Sequence, residues 1–185
     1  MNFHYSTLLH LPFILESEVL QASRRDAHGA HAAGLLWFST NLVMERTALK
    51  KNAIPVRFKS QSAPVCDWRT VTKAVGFSTA VMRRLERSGR AMGGLPHQWR
   101  ALIGDLPLSA VDRIELLNEG AWQEVDRDAL MVSRVSDDAL RLDGPGGLVA
   151  VVARQKTAEG YFAYATNQAL CNPGNLVSTV YLETG

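Results

Sequence analysis

The spacing of apolar and polar positions changes several times along the chain, and each change marks a new element. Asn2-Phe3-His4-Tyr5-Ser6-Thr7 is short and aromatic, which predicts an opening strand. Leu8, Leu11, Leu15 and Val19 then recur at intervals of three and four, one face of a helix over about residues 10–20 with Pro12 in its first turn. Residues 21–33 are polar or small and read as an exposed loop. Gly34-Leu35-Leu36-Trp37-Phe38-Ser39-Thr40 predicts a buried strand, and Ile54-Pro55-Val56-Arg57-Phe58-Lys59 alternates as another.

The middle of the chain has a helical pattern. From Asp67 to Arg90 there is no proline, and Val71, Val75, Met82 and Leu85 predict two helices broken near Gly76. Gly93-Gly94-Leu95-Pro96 is a turn, and Val111–Leu117 returns to strand composition before the turn Asn118-Glu119-Gly120. The last third reads as a meander. Strands at Leu148–Ala153, Tyr161–Ala165 and Leu176–Leu182 follow turns at residues 144–147, 159–160 and 172–175. The acidic, polar run from Asp126 to Asp143 suggests a boundary near residue 127.

Composition narrows the class. The 185 residues are 46% apolar and 21% charged, as in a globular domain with an ample core rather than a disordered or fibrous chain. Two cysteines, Cys66 and Cys171, stand far apart with no metal-binding partners in sequence, which excludes a cysteine-built zinc site and suits a reducing compartment. No apolar run approaches the roughly 18–20 residues of a membrane span, and no secretory leader pattern opens the chain. A cytoplasmic protein with no membrane partner is expected. The net charge of +2 hides an uneven distribution: residues 68–100 hold seven Lys or Arg against Glu86 alone.

Phosphate-loop, dinucleotide-fold, zincin and α/β-hydrolase motifs are all absent. The histidines are His4, His10, His28, His31 and His97. His28 and His31 lie on a Gly/Ala-rich stretch without a carboxylate cluster and read as solvated loop residues, so no metal is expected.

Phe3-His4-Tyr5-Ser6, a helix carrying Ile14-Leu15 and then Val19-Leu20 resemble the first strand and helix of ADP-ribosyltransferases, in the branch with a His-x-Ser/Thr first strand. Gly34-Leu35-Leu36-Trp37-Phe38-Ser39-Thr40 resembles that branch's second motif, and Thr47-Ala48 falls where the family enters a short helix. The chain also resembles uncharacterised bacterial proteins that begin with His-Tyr-Thr and later carry Trp-Phe-Ser-Thr. The resemblance covers residues 2–49 closely, 54–125 by strand order, and none of 126–185.

It implies an α+β fold: a split-sheet core over residues 1–125 with peripheral helices, then a β-rich extension over 126–185. It implies NAD as substrate and transfer of ADP-ribose to a protein or nucleic acid, as a bacterial toxin or defence factor does. Cleaving the nicotinamide–ribose bond builds positive charge on the sugar, so the site must orient the ribose and place a carboxylate beside it. By resemblance, His4 binds a ribose hydroxyl, Ser6 completes the motif, and the main chain of Tyr5 holds the carboxamide. The family often has glycine at the Tyr5 position. Ser39 and Thr40 match small hydroxyl residues beside the NAD strand, and Trp37 lines the nicotinamide pocket. The family's stacking tyrosine has no counterpart in 41–50.

The catalytic acid belongs at the start of a later strand, which offers Glu115 and Asp112. Three apart on a strand, they point to opposite faces, and Glu115 is favoured because it reaches farther and matches the family's residue type. Arg57 could pair with a phosphate. Each residue also has a plainer reading: His4 as a half-buried strand residue, Trp37 and Phe38 as core, Arg57 and Glu115 as surface charges.

Two other functions remain open. Thr72–Leu85, with Gly76 at a turn, Ser78 opening a second helix and Arg83-Arg84 on it, has the pattern of a DNA-binding helix-turn-helix within residues 68–90. The other is an inactive NAD-fold protein acting through protein contacts, with the C-terminal extension as an interface.

Overall fold

A computed structural model describes residues 1–26, 29–48, 53–157 and 160–169. In chain order the elements are β1 (Asn2–Thr7), α1 (Leu11–Ser17), β2 (Val19–Leu20), β3 (Ser23–Asp26), β4 (Gly29–Ser39), β5 (Pro55–Ser60), β6 (Cys66–Asp67), α2 (Trp68–Ala74) and α3 (Thr79–Ala91). They continue with β7 (Trp99–Ile103), β8 (Leu106–Pro107), β9 (Arg113–Asn118), β10 (Ala121–Val125), β11 (Met131–Ser136), β12 (Ala139–Asp143), β13 (Val149–Thr157) and β14 (Gly160–Ala169). Among the described residues this is a mixed fold of mostly antiparallel sheet with three α-helices. None of these helices is long and apolar enough to cross a membrane.

The chain forms two compact units that alternate along the sequence. The first comprises Met1–Ser6, Glu18–Leu49 and Arg57–Asp112; the second comprises Thr7–Ser17, Lys50–Val56 and Arg113–Gly185.

In the first unit the strand order is β5-β1-β4-β7-β6, with β3 paired to β4. Phe3 stands opposite Ser39, and Ser39 opposite Trp99, which fixes the faces of the three middle strands. Residues 21–33, expected as a loop, instead contribute β3 and the start of β4, closing Asp26 against Gly29. The alanines and glycines there give little strand signal, and main-chain pairing overrides that weak propensity. His31 falls on β4, while His28 lies outside the described residues. β7 had no sequence signal because its burial does not alternate: Trp99, Ala101 and Leu102 are all buried.

Two helices pack on this sheet as the sequence predicts. Asp67 caps α2 by accepting from the Arg69 amide at 3.0 Å, and the helix buries Trp68, Val71 and Thr72. Gly76 turns the chain at φ +92°, and Ser78 caps α3 by accepting from the Val81 amide at 3.3 Å. Trp37, Trp68 and Trp99 meet as a triad with centroid separations of 5.5 to 6.4 Å. The indole N–H groups of Trp68 and Trp99 are buried without an acceptor among the described residues. Leaving each unpaired costs about 1–3 kcal/mol. Burying roughly 200 Å² of indole at 25 cal/mol/Å² contributes about 5 kcal/mol apiece, so burial wins.

In the second unit α1 is shorter than the 10–20 expected, because Glu18 adopts φ +54° and turns the chain out of the helix. α1 packs against β11 and β12; Phe13 carries Arg154 over its ring at 4.8 Å, and Glu16 pairs with Arg134. β9 and β10 form a hairpin through Glu119 and Gly120, both at positive φ, as a two-residue type I′ turn requires. The sheet order is β11-β12-β13-β14, with Leu140, Leu142, Ala150 and Val152 buried; β13 and β14 are two of the expected meander strands, whereas β11 and β12 were not expected as strands. The acidic run from Asp126 to Asp143 is largely the β11–β12 hairpin. The turn at 172–175, the strand at 176–182 and Cys171 lie outside the described residues.

A Cβ on Gly89 of α3 would sit 2.2 Å from the Trp99 ring, whereas one on Gly76 would meet nothing within 4 Å. Gly89→Ala should therefore lose about 2–3 kcal/mol by overpacking despite alanine's helix propensity. Gly76→Ala should lose about 1–2 kcal/mol from positive φ alone. Urea unfolding of both variants checks the order.

Candidate functional site

The candidate residues cluster around β1, which lies between β5 and β4. Successive strand side chains alternate between faces, so Phe3 and Tyr5 point one way and His4 the other. Phe3 shares its face with Ser39, Trp37 and Trp99. His4 shares the opposite face with Phe38 and Phe58, whose ring centroids lie 5.7 and 6.0 Å from its own. The side chains of His4 and of Trp37 and Ser39 therefore do not line one cleft on a single face.

On the His4 face, the ring Nδ1 lies 2.9 Å from the Trp37 carbonyl. A carbonyl only accepts, so Nδ1 carries the proton, and in the neutral ring Nε2 carries the lone pair. His4 is half-buried, and Ser6, two residues on, is buried.

On the opposite face, the polar side chains hold a loop in place. Tyr5 donates its hydroxyl to the Asn41 carbonyl at 2.7 Å, and Arg57 donates to the Leu42 carbonyl at 2.6 Å while lying over Phe3 at 4.5 Å. Arg57 is buried, neither the solvated strand residue nor an open phosphate ligand. Asn41 closes the turn, accepting from the Val43 amide at 3.0 Å and donating to the Met44 carbonyl at 2.8 Å. Thr40 is fixed by its amide, which donates to the Gln98 carbonyl at 2.9 Å.

The loop ends on a carboxylate that the sequence reading passed over. Glu45 is only 4% exposed. Its Oε1 accepts from the Thr47 hydroxyl at 2.7 Å and amide at 3.3 Å, and its Oε2 accepts from Ser39 Oγ at 3.3 Å. Ser39 Oγ in turn accepts from the Asn41 amide at 3.1 Å. The available signal was Glu45-Arg46-Thr47, an acid two residues before a hydroxyl at the start of the short turn Arg46–Ala48.

The two acids proposed for catalysis fall in different units. Asp112 belongs to the first, ahead of β9 rather than on it, so the alternation argument does not reach it. Its carboxylate accepts from the Gln61 amide at 2.7 Å and its amide donates to the Lys59 carbonyl at 2.8 Å, closing the chain after β5. Glu115 belongs to the second, half-buried on β9 opposite Glu124, which Arg113 neutralises at 2.8 Å. Among the described residues no group of three or more His, Cys, Asp or Glu is placed to hold a metal ion.

Truncating Glu45 leaves three donors without their acceptor, the buried Ser39 hydroxyl and the half-buried hydroxyl and amide of Thr47. Glu45→Ala should cost about 2–4 kcal/mol and Glu45→Gln less, since the amide oxygen still accepts. Chemical denaturation measures both. Compared with family profiles, curated proteins and solved structures, the chain matches none of them.

Proposed function

We propose that the chain transfers ADP-ribose from NAD to a macromolecular acceptor on an ADP-ribosyltransferase-like core. The supporting observation is the setting of His4: half-buried on a central strand, beside two phenylalanines, with Nδ1–H donated to the Trp37 carbonyl. In that tautomer Nε2 is the accepting nitrogen of the ring, and the first-strand motif implies a ribose hydroxyl as the donor to it. Binding that positions the sugar before charge develops lowers the barrier to breaking its bond to nicotinamide.

In this reading the face bearing Trp37, Ser39, Tyr5 Oη and Arg57 is framework. It holds the 41–47 loop and the helices, and the ligand meets the His4 face. By the resemblance alone, Glu115 is the acid proposed to stabilise the cationic sugar. Asp112 already receives a backbone amide and is assigned the structural role.

The test is incubation with NAD labelled on the adenylate, scoring nicotinamide release and label on protein, RNA or DNA. Wild type should cleave NAD; His4→Ala and Glu115→Gln should each lower the rate at least 100-fold, in the range seen on removing a charge-stabilising group. Asp112→Asn should stay within about tenfold if it still folds. No cleavage by wild type, or undiminished cleavage by His4→Ala, overturns the proposal.

A further inference from the structure

Three of the four arginines of α3 have no ion pair among the described residues. Arg83, Arg84 and Arg87 are exposed, and Arg87 stands four residues from Arg83 and three from Arg84, so it neighbours both on the outward surface of the helix. Like charges at that spacing weaken a helix. The only acid of the helix, Glu86, is already held at 2.9 Å by both Arg69 and Arg90. Those two donors depress the Glu86 carboxyl below its ordinary value. Among the described residues, Arg83, Arg84 and Arg87 have no ion pair. Self-repulsion left uncompensated in the folded chain is the signature of a surface that meets an anion.

We infer that the outward face of α3 is a docking surface for the phosphate backbone of double-stranded DNA. Three features select a duplex. Val75–Ser78 joins α2 to α3 by a four-residue turn with Gly76 at φ +92°, the connection of a helix-turn-helix. The presented element is a 13-residue helix, and a B-form major groove about 12 Å wide admits one. Unpaired strands are held by exposed aromatic rings on which bases stack. Here the aromatic residues of the segment face inward: Trp68 and Trp99 are buried, and Phe77 packs on the core of Leu35, Val71 and Ala101. Double-stranded RNA is disfavoured because its deep, narrow major groove excludes a helix.

The inference stands apart from the proposed transfer activity, since His4 and Glu115 take no part in it. The test is fluorescence anisotropy of the full chain with a labelled 20-base-pair duplex across 20–200 mM salt. The log–log salt slope should be about −3, reflecting three neutralised phosphates. Arg84→Ala/Arg87→Ala should weaken binding at least tenfold at 100 mM salt and bring the slope to about −1, with a melting temperature no lower than that of wild type. Arg84→Glu/Arg87→Glu should abolish binding, and Arg141→Ala, whose partner is Asp143, should change nothing. NAD cleavage without acceptor should be the same in Arg84→Ala/Arg87→Ala as in wild type, which separates failure here from failure of the transfer reading. No binding at 20 mM salt, equal binding by the double variant, or tenfold tighter binding of single-stranded RNA would overturn the inference.

Discussion

The first unit hinges on Trp99 lying against a helix residue that has no side chain. β7 carries the indole on the face it shares with Ser39 and Trp37, and Gly89 lets α3 come close enough to cover it. Trp68, the first residue of α2, fills the remaining side of the triad. Three large rings thus bind two helices and two strands into one body. Their burial outweighs the two unpaired indole N–H groups. The turn at Gly76 and the caps at Asp67 and Ser78 set where the helices begin and end; the tryptophans set where they sit.

A second consequence is a division of labour between the faces of the sheet. The tryptophan face is filled by helices and by the 41–47 loop, pinned through Tyr5, Ser39 and Arg57 and finished by buried Glu45. That leaves His4, which the pleat turns away from all of them, as the polar side chain whose ring is braced between two phenylalanines. A rigid framework on one face and an oriented imidazole on the other is the arrangement a ligand site needs, because the framework supplies the precision the site requires.

Much of the fold was legible in sequence because local pattern and tertiary outcome agree. β1, β5, the two helices around Gly76, β13 and β14 follow directly from periodicity and turn residues. Other features were hidden for separate reasons. α1 ends early because Glu18 enters the left-handed region, which no apolar spacing reports. β3 and the start of β4 are built from residues of low strand propensity and exist through pairing. β7 is buried without alternation and so shows no period. The site was less legible. Motif order brought His4, Trp37 and Ser39 together on paper, but a one-residue offset on a strand reverses the face, and which residue stands opposite which is a tertiary fact. Glu45 escaped notice because a lone acid in a loop looks solvated until its donors are known.

The proposed transfer activity rests on His4 presenting Nε2 to the sugar of NAD from a ring locked through Nδ1. The most direct measurement is long-range ¹H–¹⁵N correlation on histidine-labelled protein, with and without NAD, using His4→Ala to assign the signal. The expected result is a neutral His4 with its proton on Nδ1 at pH 8, and a shift of the Nε2 resonance when NAD binds. A proton on Nε2, or an Nε2 resonance indifferent to saturating NAD, would contradict it.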